Sequence, residues 1–195
     1  MVNNYDQIGH MIGFEDEFDF YFVQIIKRRK DNPDLKRDMN IIANFYIESF
    51  EQYGRLMPHI ISMCDNENAR AYFRINRRNY KHLSYHILKR VVDVISSGMV
   101  KSLKGTFDTV AGQYHSDKDK KWIVDIDDDI PYDGSEVKEV ILRLQGETKK
   151  EPYFRVLPTK NGVHYITRPF NLKKFKDDFP GIDVHKDNPT ILYCP

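Results

Sequence analysis

The sequence predicts an α+β fold within a single domain of 195 residues. A mainly helical N-terminal lobe with one short strand is expected over residues 1–120, then a β-α-β-β-α-β core of ferredoxin-like type over about residues 121–195. Three observations predict this. In the C-terminal part, short β-branched or aromatic runs alternate with amphipathic ones. In the N-terminal part, apolar residues recur at helical spacing. The composition, 41% hydrophobic and 13% aromatic, supplies a core and argues against global disorder.

The elements follow in order. "FEDEFDFYFVQIIKRRK" (14–30) reads as a helix, with Phe14, Phe18, Tyr21, Phe22 and Ile25 at helical spacing. Its leading acids and trailing "KRRK" complement a helix dipole, and "DNP" (31–33) ends it. A second helix is expected over 34–53, with Leu35, Met39, Ile42, Phe45, Tyr46 and Phe50 inward and Gly54 as the stop. "AYFRINR" (71–77) reads as a short strand. Residues 79–98 read as a third helix, capped by Asn79 and stopped by Gly98. Residues 99–120 are mixed and end in the polar loop "HSDKDKK".

The core begins with the strand "KWIVDID" (121–127). A helix capped by Ser135 covers 135–145, and "YFRVL" (153–157) is the second strand. "KNG" (160–162) is a turn, because Asn-Gly accepts positive φ. "VHYITR" (163–168) is the third strand, 171–179 a short helix and "TILY" (190–193) the fourth strand. Right-handed crossovers put the first and third strands side by side, the fourth beside the first, and the second at an edge. Pro158 suits an edge.

Charge and cysteine content narrow the function classes. The net charge is +1, so only its distribution is informative. Two cysteines, Cys64 and Cys194, form no CxxC pair, which argues against structural zinc. No apolar run approaches the roughly 20 residues that span a bilayer, so no membrane association is expected. With no signal-like N-terminus, a reducing, cytoplasmic location is expected.

Strand alternation puts Asp125 and Asp127 on the sheet face that the helices leave open, and Val124 and Ile126 on the covered face. His164 and Arg168 alternate together on the third strand. Asp187, just before the expected fourth strand, falls at the same sheet edge. Two carboxylates about 5 Å apart at an effective dielectric near 20 repel by roughly 3 kcal/mol. A hard divalent cation, Mg²⁺ or Mn²⁺, relieves that repulsion, and phosphoryl transfer is one common use of such a site. An Asp-x-Asp at a strand end also serves simply as a turn or cap, the reading given to Asp128 and Asp129.

Taken together, "VDID" (124–127), "TKNGVH" (159–164) and "VHKDNPTILYCP" (184–195) resemble the catalytic core of the archaeo-eukaryotic-type primase, or primase-polymerase, superfamily. That family carries an Asp-x-Asp strand, a Gly-x-His strand after a small polar loop, and an Asp before a final apolar strand. The resemblance covers roughly residues 121–195 and would suit a minimal phage or mobile-element member active in DNA replication. It implies a nucleotidyltransferase that adds nucleotides to a primer, or starts one, on a single-stranded template. Asp125, Asp127 and Asp187 would be the catalytic metal ligands, and His164 would contact the phosphates of a nucleoside triphosphate. Lys160 and Arg168 flank His164 and are added as nucleotide contacts. The family often has Ser two positions before its His, where this chain has Gly162.

Residues 66–105 hold nine Lys and Arg against two acids. Arg74, Arg77, Arg78 and Lys81, with the interleaved Tyr72, are therefore expected to contact single-stranded or primed nucleic acid. Two other readings stay open. One is a metal-dependent nuclease using Asp125 or Asp127 with Glu136 and Lys138. The other is a catalytically silent nucleic-acid-binding relative, since RNA-recognition domains share the βαββαβ unit.

Overall fold

The structure is a computed structural model and describes residues 1–148 and 151–195. It is α+β, with two antiparallel sheets and, among the described residues, six α-helices. Residues 1–120 are not mainly helical. They contribute β1 (Val2–Asn3), α1 (Tyr5–Gly9), β2 (Asp19–Arg28), β3 (Met39–Ile47), α2 (Phe50–Glu67), β4 (Arg70–Asn79), α3 (Tyr80–Ser96) and α4 (Thr106–Gln113).

The helix expected at 14–30 is the strand β2, and the one expected at 34–53 is β3 followed by the start of α2. The physical reason lies in two-sided burial. Phe20 and Phe22 pack against Leu83, Val110 and Ala111 of α3 and α4. The intervening Tyr21, Val23 and Ile25 pack into the main core with Tyr53, Met57 and Ile60 of α2. A strand buried on both faces is apolar at every position, so its pattern fits a helical template as well as an extended one. Aromatic and β-branched content is the discriminating signal. Gly54, expected to end a helix, lies inside α2, as does Pro58, and the start of α2 is capped by the Ser49 hydroxyl accepting from Gln52 N at 3.1 Å. The strand and helix expected at 71–77 and 79–98 are β4 and α3, and Asn79 does cap α3.

The C-terminal part supplies β5 (Trp122–Asp127), α5 (Gly134–Gly146), β6 (Phe154–Pro158), β7 (Gly162–Thr167), α6 (Leu172–Asp178), β8 (Asp183–His185) and β9 (Thr190–Cys194). The α5 cap is Asp133 rather than Ser135, whose own N–H donates to Asp133 Oδ1 at 2.8 Å. Strand order in the smaller sheet is β6-β7-β5-β8, with all neighbours antiparallel. Trp122, Val124 and Ile126 pack under α5 and α6 against Val137, Ile141 and Phe175. On the other side, Ile123, Leu157 and Ile166 join the main core.

The strand beside β5 differs from expectation. It is the three-residue β8, whereas the residues expected there form β9 in the larger sheet, of order β1-β9-β4-β2-β3. Every residue of β9 is buried, and a strand buried on both faces satisfies its backbone only with a neighbour on each edge. β1 and β4 provide them, through Val2↔Cys194 and Ala71↔Tyr193.

Candidate functional site

A cleft of about 370 Å³ lies between the two sheets. The smaller sheet lines it with Asp125 and Asp127 of β5, His164 of β7, His185 of β8 and the 159–161 turn. The larger sheet lines it with Ile26, Arg28 and Lys30 at the end of β2, Tyr72 of β4 and Ile191 of β9.

Register brings the acids and the imidazole together. Asp125 is the cross-strand partner of His164, and Asp127 that of Gly162. His164 Nε2 lies 3.3 Å from Asp125 Oδ1, and its Nδ1 lies 2.8 Å from the Thr190 hydroxyl. Thr190 belongs to β9, so this bond crosses from one sheet to the other. With Nε2–H directed at Asp125, the partners suit Nδ1 accepting from the Thr190 hydroxyl. Gly162 has φ 146°, and a Cβ there would collide with the Ile126 carbonyl oxygen and sit 2.9 Å from Asp127 Cα. Glycine at this position is what lets β7 approach the Asp-bearing end of β5.

Charge is separated across the cleft. The hydrogen bond from His164 holds the Asp125 carboxyl below its ordinary range, against the opposing effect of burial. Partial burial, followed by the negative charges of Asp125 and Asp129, pushes Asp127 up. Opposite them, burial and then the positive charges of Arg70, Arg28 and Lys160 pull Lys30 down. One acid neutralises part of that cationic wall. Asp31 Oδ1 lies 2.7 Å from Arg70 Nη2 and 2.9 Å from Lys160 Nζ. Burial alone would raise the Asp31 carboxyl, but hydrogen bonds from Arg70 and Lys160 hold it at about 2. Arg28 donates to the Tyr72 hydroxyl at 3.2 Å.

The structure thus brings Asp125, Asp127, His164, Lys160 and Tyr72 to one cleft. It does not bring Asp187 there. β8 runs antiparallel to β5 with Asp183 opposite Asp125 and His185 opposite Ile123, so the chain leaves the pairing toward the start of β5. Asp187 emerges beside Lys121, where Asn76 Nδ2 donates to both Lys121 O (2.9 Å) and Asp187 Oδ1 (3.0 Å). The other Asp187 oxygen accepts from Arg78 at 2.6 Å. Arg168 is also elsewhere. It follows Thr167, the partner of Trp122, at the far end of the sheet, and donates to Glu151 O at 2.8 Å.

The arginines expected on nucleic acid are structural. β4 is the middle strand of its sheet, and distant acids neutralise its charges. Arg78 and Arg74 meet Asp187, while Arg77 meets Glu15 at 3.0 Å and Asp19 at 3.3 Å. Lys81 is exposed on α3, over the Phe18 ring. Glu136 and Lys138 lie on α5 and do not line the cleft.

Among the charged or titratable residues of the cleft, Arg28, Lys30 and His185 escaped sequence reading, as did Thr190, which holds His164 from behind. The signal for the first two was "KRRK". On a strand, Ile26, Arg28 and Lys30 alternate to one side, whereas a helical reading spends them on the dipole.

Comparison with protein-family models, with curated proteins and with solved structures found no match for this chain. Among the described residues, no helix is long and apolar enough to cross a membrane.

A divalent cation fits two of the three expected ligands. Asp125 and Asp127 share one strand and one cleft, and their mutual repulsion already disfavours ionisation of Asp127. Among the described residues, no three His, Cys, Asp or Glu side chains form a ready-made cage. Mg²⁺ is commonly held by one or two carboxylates plus substrate phosphates, which matches this donor set.

Proposed function

We propose that the chain is a metal-dependent nucleotidyltransferase of primase-polymerase type, with the smaller sheet as its ferredoxin-like catalytic core. The observation that carries this reading is the cleft itself: Asp125, Asp127 and His164 face Arg28 and Lys30 between two sheets, with Lys160 of the 159–161 turn beside them. A nucleoside triphosphate presents the complementary charges, anionic phosphates toward the basic wall and a phosphate-bound cation toward the acids.

In this reading Asp125 and Asp127 would hold Mg²⁺ or Mn²⁺, and the cation would supply charge neutralisation for the phosphates and Lewis acidity for an attacking hydroxyl. Arg28, Lys30 and Lys160 bind the triphosphate tail. His164, fixed by Thr190, orients Asp125. Both ring nitrogens have protein partners, so a phosphate contact by His164 requires one of them to yield.

A second reading is a catalytically silent nucleotide-binding relative. One observation favours it: the third acid of the resemblance, Asp187, is held by Arg78 and Asn76. The test is Mn²⁺-dependent nucleotide incorporation on a primed single-stranded template, wild type against Asp125→Ala/Asp127→Ala, with triphosphate binding measured in parallel. Incorporation lost in the variant supports the enzyme. Binding without incorporation supports the silent relative. Neither activity nor metal-dependent binding in the wild type removes both.

A further inference from the structure

Helix α3 carries an apolar stripe that none of the described residues covers. Tyr85, Leu88, Val92 and Ile95 are 75%, 65%, 61% and 55% exposed, and Met99 and Val100 continue the patch past the helix end. Eleven large apolar residues are exposed among the described residues, and these six fall within sixteen consecutive positions. Scattered exposed apolar residues need no explanation, but a contiguous patch does. The opposite side of α3 is already satisfied, since Leu83 packs with Phe20, Phe22 and Val110.

Spacing identifies the kind of surface. Positions 85, 88, 92 and 95 follow steps of three, four and three, the a/d rhythm of a coiled-coil seam. A seam of this kind is narrower than the broad face of a helix lying on a membrane. It spans about 15 Å at 1.5 Å per residue, or roughly three helical turns.

Charge identifies the partner. Lys81, Lys89, Lys101 and Lys104 are exposed around the stripe, and among the described residues none of them makes a salt bridge. Asp93 is the only acid between residues 80 and 105. A second copy would bring a like-charged surface within about one Debye length, which opposes self-association. Tyr85 is the one ring among the six exposed apolar residues, and Leu88, Val92, Ile95, Met99 and Val100 offer no face for successive bases to stack on, which disfavours single-stranded nucleic acid. We propose that α3 docks an acidic amphipathic helix of a protein partner, whose apolar seam packs on Leu88, Val92 and Ile95 and whose flanking carboxylates meet the lysines.

The test uses the full chain and a synthetic peptide of about three heptads, with Leu at a and d and Glu at e and g. A matching peptide with Lys at e and g, phosphatidylglycerol vesicles and a single-stranded oligonucleotide run alongside. Fluorescence anisotropy should show the Glu peptide binding at least about tenfold more tightly than the Lys peptide, more weakly as salt rises. Leu88→Glu and Val92→Glu should each reduce binding about tenfold or more, as for a central interface residue, with an unchanged thermal melt because both sites are exposed. The proposal is overturned if the two peptides bind alike, if either substitution leaves binding intact, if vesicles or oligonucleotide are preferred, or if sedimentation shows self-association lost on Val92→Glu.

Discussion

Replacing Asp187 with alanine should unfold the protein more readily rather than merely empty a metal site. Arg78 is fully buried. Its guanidinium donates to Ala111 O at 2.9 Å, to the Asn76 carbonyl, and to Asp187 Oδ2 at 2.6 Å. Only the last partner carries charge. Burial already draws the Arg78 guanidinium down to about 10, with Asp187 acting in the opposite sense. Removing the carboxylate therefore leaves a buried cation without compensation, and Arg74, 3.7 Å from the same oxygen, loses that charge while keeping its 2.7 Å hydrogen bond to the residue 187 carbonyl. Breaking one side of a buried pair costs about 3–5 kcal/mol. For a chain of this size each kcal/mol is worth about 2–4 °C, so Tm should fall by roughly 6–20 °C. Urea titration followed by far-ultraviolet circular dichroism measures the free energy, and calorimetry the Tm. Moderate salt should not mask the loss, because the pair is shielded from solvent. An Asp187→Ala midpoint within about 1 kcal/mol of wild type, an effect typical of surface positions, would refute the structural role. Loss of Mn²⁺ binding at unchanged stability would return Asp187 to the set of cleft ligands.

Gly162→Ala should cost about 3 kcal/mol or more, through the positive φ and the collision with Ile126, and should weaken metal binding by displacing Asp127; chemical denaturation and calorimetric Mn²⁺ titration check both. Asp31 has a folded pKa of about 2, below its ordinary 3.8, so its contribution to stability is present above pH 4 and lost as pH falls toward 2. Asp31→Asn should therefore flatten that acid limb of a stability–pH curve, and an unchanged limb would show that Arg70 and Lys160 do not act through it. Asp127 has a raised pKa, and a bound cation requires its ionised form, so Mn²⁺ affinity should climb as pH rises through that value and then level off. Asp127→Asn should lower the plateau about tenfold or more and abolish the climb; affinity independent of pH would remove Asp127 from the site.

Legibility in the sequence followed sidedness. β5, with Val124 and Ile126 under helices and Asp125 and Asp127 in the cleft, declares its two faces in its alternation. So does α5, whose Val137, Ile141 and Leu144 share one stripe. β2 has no polar face across residues 19–25, and its aromatics satisfied a helical pattern equally well. β8 is three residues long and half exposed, too short for any period to register. Missing it placed the last strand in the wrong sheet, and with it Asp187. The arginines of β4 illustrate a different limit. Local charge density suggested a solvent-facing patch, yet their neutralising acids lie far away, at Glu15, Asp19, Asp31 and Asp187. Pairings between distant segments are invisible to a count over a window.

The placement of β9 has a consequence for how the molecule is made. The larger sheet needs residues 190–194 between β1 and β4, and among the described residues β1 pairs with no other strand. Synthesis proceeds from the N-terminus at about 5–20 residues per second. While residues 4–189 emerge, β1 waits unpaired and β4 keeps one bare edge. His164 likewise lacks Thr190, so the cleft has no fixed wall until that strand arrives. A nascent chain is then held out of its working form until residues 190–194 have emerged, with an open strand edge that a chaperone can occupy.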